Sequence, residues 1–158
     1  MPEHSHTELT GEMPRNHTYQ LSMLIVFFVV WPLDSFFFHL TTFLLNVVPF
    51  WLPAIPAAAV FAIAVHLANA SHKQIFHSSN PGLITTGVFS HVRHPLYLGT
   101  VLTYVALATL TASSASVALC VAILAVYDRL ASYEEKELEA RFGTSYLEYR
   151  KRVRKWGP

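Results

Sequence analysis

Charged side chains are scarce in this 158-residue chain, and two long stretches have almost none of them. Between His17 and His72 the one formally charged side chain is Asp34, and between His94 and Tyr127 there is none. Runs this long and this apolar cannot form the surface of a water-soluble domain. The sequence therefore predicts a protein embedded in a membrane.

Cysteine is nearly absent too, since Cys120 is the single one. One thiol forms neither an internal disulfide nor a thiol-based metal site, and its place in an apolar run predicts a small core residue. No Gly-x-Gly-x-x-Gly pattern joins a strand to a helix, so nothing in the sequence indicates a Rossmann nucleotide-binding sheet.

Four apolar segments predict transmembrane helices, because a hydrocarbon core of ~30 Å takes about 20 residues to cross. The fold class expected is all-α: a polytopic membrane helix bundle of about four transmembrane helices with a cytoplasmic C-terminal helical cap. Pro32 should kink the first helix. The predicted spans are about 19–45, 50–68, 94–111 and 116–131.

The rest of the chain completes the predicted organisation. Residues 1–18 are expected to form a flexible leader, and residues 19–158 a single membrane domain. Charged and polar residues at about 132–153 predict two short C-terminal helices. Gly143 separates them because glycine readily ends a helix.

Basic residues are distributed unevenly, which predicts the orientation. Lys73 and Arg93 lie in the long central connection, and the tail is rich in lysine and arginine, whereas the other two connections have neither. The positive-inside rule then places both termini and the central connection in the cytoplasm. The basic tail is interpreted as facing anionic lipid rather than nucleic acid, because membrane spans precede it.

Polar residues gather at the start of the third span, in the order Arg93, His94, Pro95 and Tyr97. Placing arginine, histidine and tyrosine at the end of a span is costly unless they are paired or bind a ligand, so a functional site is the default hypothesis. The alternative is that the arginine and tyrosine simply anchor the span at the interface.

A second polar group follows the fourth span. Asp128, Ser132 and Glu135 fall on one helix face, and Glu134 lies about 100° away. Neighbouring carboxylates repel, so a cation should offset them: Arg93, Arg129 or a ligand. The alternative is an ordinary solvated helix start with acids near its positive end.

These two regions resemble known membrane methyltransferases. LITTGVFSHVRHPLYLG, Leu83 to Gly99, and EEKELEARFGTSYLEYRKRV, Glu134 to Val153, are similar to the corresponding stretches of isoprenylcysteine carboxyl methyltransferases. Phosphatidylethanolamine N-methyltransferases are similar across Pro95-Leu96-Tyr97-x-Gly99 and the glutamate pair. The resemblance covers roughly the C-terminal half of the chain.

The resemblance implies a helical S-adenosylmethionine site at the cytoplasmic ends of the spans. It assigns Arg93 and Glu135 to catalysis and implies no metal. The expected partners are the bilayer and a membrane-resident lipid or lipidated acceptor, without nucleic acid. By the same resemblance, the residues that hold the cofactor are Gly87, Val88, His94, Pro95, Tyr97, Gly99, Glu134 and Glu135.

The acceptor stays open at this point, between the carboxylate of a prenylated cysteine and a phospholipid headgroup amine. Arg93 would orient a carboxylate, whereas an amine must first lose a proton to a base such as His91 or a carboxylate.

Three rival functions remain. The first is a membrane reductase of the sterol-reductase type that uses NADPH, and the second is a non-catalytic four-span protein. A metal enzyme is the third, although the spacing of its histidines follows no single zinc pattern. Asp34, an acid within a span, is a further functional candidate. The histidines weighed for a metal were His66, His72, His77, His91 and His94.

Overall fold

The computed structural model describes residues 16–77 and 82–157, with nothing said of the side chain of His77. Most of the predicted leader therefore lies outside the described residues, and the boundary between leader and membrane domain stays a prediction. Every regular element in the described parts is helical. The α-helices are α1 (Asn16–Pro32), α2 (Trp51–His77), α3 (Pro95–Leu110), α4 (Ser114–Phe142) and α5 (Thr144–Arg152).

The expected all-α membrane bundle is confirmed. Three segments, Asn16–Asn46, Trp51–Phe76 and Ser114–Phe142, are long and apolar enough to cross a membrane, and α3 is a shorter apolar helix. Large apolar side chains cover the outside of α1 and α2, which suits contact with lipid tails rather than water. Those more than half exposed on these two helices include Leu21, Ile25, Trp51, Ile55 and Ile63.

The helices alternate in direction around a core of aromatic and aliphatic side chains. α4 packs against α1 and α3, and α2 packs against α3. Phe27 of α1, Tyr104 of α3 and Ile123 and Tyr127 of α4 are almost fully buried between them. This arrangement brings the first residue of α1, the first of α3 and the last turns of α4 to the same end of the bundle.

Two helix boundaries follow directly from the sequence. The α-helical pattern of α1 stops at Pro32 and continues as a π-helix over Leu33–Phe38. Proline is a common site of such irregularity, because it removes a bond to the preceding turn and its ring crowds that turn. At the other end, α4 runs without a break through the charged segment and stops before Gly143, whose φ of 53° is open to glycine.

Helices α2 and α3 approach so closely at Gly99 that a side chain would not fit. A Cβ placed there would lie 2.9 Å from the carbonyl oxygen of Ala64 and 3.2 Å from the backbone nitrogen of Ala68. Both neighbours are backbone atoms of α2, so relief requires moving the helix. Gly99 therefore sets the distance between the two helices.

We expect Gly99→Ala to lower the free energy of unfolding of the purified protein by about 1–2 kcal/mol, because overpacking outweighs the better helix propensity of alanine. Gly82→Ala is the matched control, since nothing lies within 4 Å of a Cβ at that position. Melting curves in detergent measure both. Equal stability of the Gly99 variant and the wild type would contradict the packing role.

Asp34 is buried in a polar cluster at the opposite end of the bundle from α5. Its carboxylate accepts hydrogen bonds from the backbone N–H (3.0 Å) and hydroxyl (2.6 Å) of Thr41 and from the hydroxyl of Ser113 (2.5 Å). Ser113 also caps α4 by accepting from the N–H of Ser116. Asp34 thus joins the end of the first span to the start of α4, and its partners account for its burial.

Replacing Asp34 with alanine leaves these donors without their acceptor, so we expect a loss of about 3 kcal/mol in stability. Asp34→Asn, which keeps an acceptor oxygen, should lose less. Phe37→Leu, at an exposed position of the same segment, serves as the control in the same melting experiment. A fully stable Asp34→Ala variant would show that the cluster does not hold this end together.

Candidate active site

Arg93 and Glu135 form a buried ion pair where the start of α3 meets the C-terminal part of α4. Oε1 of Glu135 accepts from Nε of Arg93 at 3.0 Å and from Nη2 at 2.8 Å. The side chains are 10% and 7% exposed, respectively, so solvent screens the pair little. Arg93 is therefore the cation that the sequence required beside the glutamate pair.

His94 links both glutamates. Its Nε2 lies 3.1 Å from Oε1 of Glu135, and its Nδ1 lies 3.6 Å from Oε2 of Glu134. Burial disfavours the protonated ring, but hydrogen bonding to the two carboxylates and their negative charges outweigh it, so the pKa of His94, just outside α3, is raised.

Glu134 faces a different set of partners from Glu135. Its Oε1 accepts hydrogen bonds from the hydroxyl of Tyr97 and, at 3.5 Å, from the side-chain amide of Asn16. Asn16 also donates to the hydroxyl of Tyr97 at 2.9 Å and is itself 3% exposed. The first turn of α1 thus contributes a polar group to the cluster.

The C-terminal tail, residues 153–157, closes one side of the cluster. Nη1 of Arg93 donates to the carbonyl oxygen of Val153 at 2.6 Å, and the backbone N–H of Arg93 donates to that of Arg154. Farther along, Nζ of Lys155 and Nε1 of Trp156 both donate to Oδ1 of Asp128, at 2.7 and 2.8 Å. The tail is therefore bonded to α4 as well as to Arg93.

Three rings form a row in this cluster. The ring of His94 stacks nearly parallel to that of Tyr97, with centroids 5.8 Å apart, and lies 6.0 Å from the ring of Trp156. His94 and Tyr97 are both 7% exposed, whereas Trp156 is only half-buried. The accessible ring of the row belongs to Trp156.

A polar cleft of about 410 Å³ adjoins the ion pair. Its volume falls in the range of small-molecule sites, roughly 300–1,000 Å³. Four cations and two carboxylates give it a net positive lining, which suits an anionic or zwitterionic group. The lining residues are Arg93, Ser132, Glu135, Lys136, Glu139, Arg150 and Lys155.

The remaining site residues expected from the sequence lie beside the cluster and have local structural partners. Gly87 and Val88 form a 3₁₀ turn whose carbonyl oxygens accept bonds from the next few residues, with Gly87 against Gln74 of α2. Pro95 opens α3 and is buried, and Gly99 faces α2. Their role in cofactor binding stays a prediction.

The sequence did not single out Asn16, Lys155 or Trp156 as part of the site. Asn16 belongs to the predicted flexible leader, residues 1–18, and the other two lie at the basic C-terminal end, for which the sequence predicts a contact with anionic lipid. The available signal was the face formed by Asp128 and Ser132, which needed a cation. Lys155 is that cation, 2.7 Å from each of their side-chain oxygens.

Metal binding has no support in the part of the chain that the structure describes. No three histidine, cysteine, aspartate or glutamate side chains come together there in a group that could hold a metal ion. The side chain of His77, one of the histidines considered above, lies outside the described residues.

Comparison with known proteins identifies the class of this site. The family model of the phospholipid methyltransferases matches residues 57–145, more than half of the chain. The chain belongs to the phospholipid methyltransferase family. Membership confirms the resemblance to the membrane methyltransferases and indicates methyltransferase activity. No curated protein and no solved structure matches the chain.

The match reaches farther towards the N-terminus than the two motifs do. It includes most of α2, which the sequence presented only as an apolar span, and it ends at residue 145, before the tail. Arg93, His94, Tyr97 and the glutamate pair all lie inside it. The family region therefore contains the ion-pair cluster, while Trp156 lies outside.

The raised pKa of His94 predicts a pH-dependent stability. A group whose pKa is higher in the folded protein than in the unfolded one stabilises the fold. The contribution is complete at pH values below the unfolded-state pKa, about 6.5 for histidine, and is lost as the pH rises through the folded-state pKa. We expect the stability advantage of the wild type over His94→Gln to be largest near pH 6 and to shrink towards pH 8.5.

Melting curves of both proteins across this range measure the difference. His91→Gln is the control, because His91 is exposed and its ring contacts the nearby turn instead. An advantage of the wild type that stays constant with pH would mean that His94 is not protonated in the cluster.

Proposed function

We propose that this protein transfers the methyl group of S-adenosylmethionine to a membrane-resident, lipid-like acceptor. The observation that supports this most is the convergence of Arg93, His94 and Tyr97 with Glu134 and Glu135 at one end of an apolar helix bundle. Family membership supplies the reaction class, and the cluster supplies groups suited to its reactants.

The residues present fit this cofactor. A carboxylate can pair with its α-ammonium, and aromatic faces attract its sulfonium. Glu134 is suited to the first task because its Oε2 has a weak partner, His94 at 3.6 Å, and its side chain is 15% exposed. When bound, the cofactor supplies an activated methyl group.

The two glutamates are suited to different tasks. Oε1 of Glu135 already accepts from Arg93 and His94, so this carboxylate is occupied within the protein. We assign Glu135 to orienting Arg93 towards the acceptor and Glu134 to the cofactor. Methyl transfer depends mainly on such positioning in a site that excludes water.

The acceptor is proposed to enter from the bilayer beside the positively lined cleft. Arg93 and Arg150 can orient a phosphate or carboxylate there, since guanidinium groups match both geometries. A headgroup amine and the carboxylate of a prenylated cysteine are both compatible with this cleft. The site end is proposed to face the cytoplasm, because the basic residues lie there.

Activity is tested by incubating the purified protein with labelled S-adenosylmethionine and separate acceptors: phosphatidylethanolamine, its methylated forms and a prenylated cysteine. We expect label in one of these lipid classes. Arg93→Ala and Glu135→Ala should reduce the rate at least 100-fold, because the buried pair orients the reacting groups.

Lys151→Ala is the matched control, at an exposed position of α5, and should keep its activity. Each variant must still insert and purify as a folded protein. Absence of label from every acceptor, or full activity in both site variants, would contradict the proposed function. Saturable binding of NADPH in place of S-adenosylhomocysteine would instead support a reductase.

A further inference from the structure

Trp156 occupies a place in the site that its position in the sequence does not suggest. It lies in the tail, beyond the region that matches the family, yet its ring packs on the bundle core and lies 6.0 Å from the ring of His94. The tail that carries it also provides the carbonyl oxygens of Val153 and Arg154, which accept hydrogen bonds from Arg93. The tail therefore contacts both Arg93 and His94.

Among the three rings of the row, Trp156 is the one that a ligand can reach. The faces of His94 and Tyr97 are covered, and the hydroxyl of Tyr97 is bonded to Glu134. Tryptophan also attracts cations more strongly than the other aromatic side chains do. The indole already faces one cation, since Nζ of Lys155 lies over the ring at 6.0 Å from its centroid.

Asp128 determines where that indole lies. Its Oδ1 accepts from Nε1 of Trp156 and from Nζ of Lys155, and Ser132 on the next turn accepts from Lys155 as well. These bonds attach the tail to α4 within the two turns that precede the glutamate pair. The distance between the indole and Glu134 is thereby set by a single rigid helix.

We propose that Trp156 forms an aromatic wall of the methyl-donor site and that Asp128 is its positioning residue. The inference rests on the proposed function, because the bound cation is the sulfonium of S-adenosylmethionine. It adds a binding residue from the tail to the groups of the family region. The indole contributes attraction for the positive charge, in addition to the pairing of the α-ammonium with Glu134.

The charge of the ligand provides the first test, with binding measured by equilibrium dialysis of the full-length protein without acceptor. S-adenosylmethionine carries the sulfonium, whereas S-adenosylhomocysteine has a neutral thioether. We expect Trp156→Leu to weaken binding of the first roughly three- to thirtyfold and that of the second clearly less. Equal losses for both ligands, or none for either, would overturn the inference.

Tryptophan fluorescence provides a readout that does not depend on affinity. Trp31 bonds to Thr111 at the far end of the bundle, and Trp51 opens α2 at that same end. Titration with S-adenosylmethionine should therefore change the emission of the wild type and of Trp51→Phe but not that of Trp156→Phe. If the emission of Trp156→Phe still changed on titration as that of the wild type does, the ligand would lie away from this ring.

Asp128 is tested through the same two measurements. Asp128→Ala should shift the emission of the ligand-free protein to longer wavelength, because the indole loses its anchor, and should weaken binding of S-adenosylmethionine. Asp128→Glu should restore both, while Arg129→Ala, on the exposed side of the same helix turn, should change neither. Wild-type emission in Asp128→Ala would remove the positioning role.

The two proposals fail in different ways. A wild-type protein that binds neither S-adenosylmethionine nor S-adenosylhomocysteine would contradict the proposed function, and the inference about Trp156 with it. A wild type that binds both ligands, with Trp156 variants that bind them equally well, would contradict the inference alone.

Discussion

The carboxylate of Glu135 connects parts of the chain that are distant in sequence. It accepts from Arg93 and His94 ahead of α3, and Arg93 in turn donates to carbonyl oxygens at the end of α5 and beyond. A buried charge without partners would cost several kcal/mol, so this carboxylate and its donors must assemble together. This requirement couples the positions of three segments: the tail, the start of α3 and the end of α4.

Polar groups occupy both ends of the bundle, and the apolar core lies between them. At one end Asp34 is surrounded by hydroxyl and backbone donors, and at the other the glutamates are surrounded by cations and a histidine. Lipid offers no hydrogen bonds, so each cluster must satisfy its own polar atoms. Asp34 achieves this with neutral hydroxyl and backbone donors, whereas the glutamates have charged partners.

Periodicity and charge were sufficient to predict the helical bundle and a cation beside the glutamate pair, while Arg93, Arg129 and a ligand all stayed open as that cation. Long apolar runs require spans, and a buried carboxylate requires a cation, so both conclusions follow from local composition. The partners of Asp128 were not predictable in this way. They depend on how the chain turns after α5, which no periodic pattern encodes.

Gly99 is a second case in which the sequence did not reveal which segment a residue contacts. Its role in cofactor binding, implied by the resemblance, stays a prediction, and the structure shows the backbone of α2 within 3 Å of where a Cβ would lie. A glycine in a helix indicates close approach, but the sequence does not say by what. The identity of the neighbour depends on the pairing of helices.

The unbroken course of α4 fixes the distance between the two polar ends of the bundle. Ser114 opens the helix beside Asp34, and Glu134 lies about 20 residues later, or ~30 Å at the ordinary helical rise. That length equals the thickness of the hydrocarbon layer. The helix therefore places the glutamate pair one hydrocarbon thickness from Asp34, level with lipid headgroups. The proposed lipid-like acceptor could then stay anchored in the bilayer by its own tails while its headgroup reached the site.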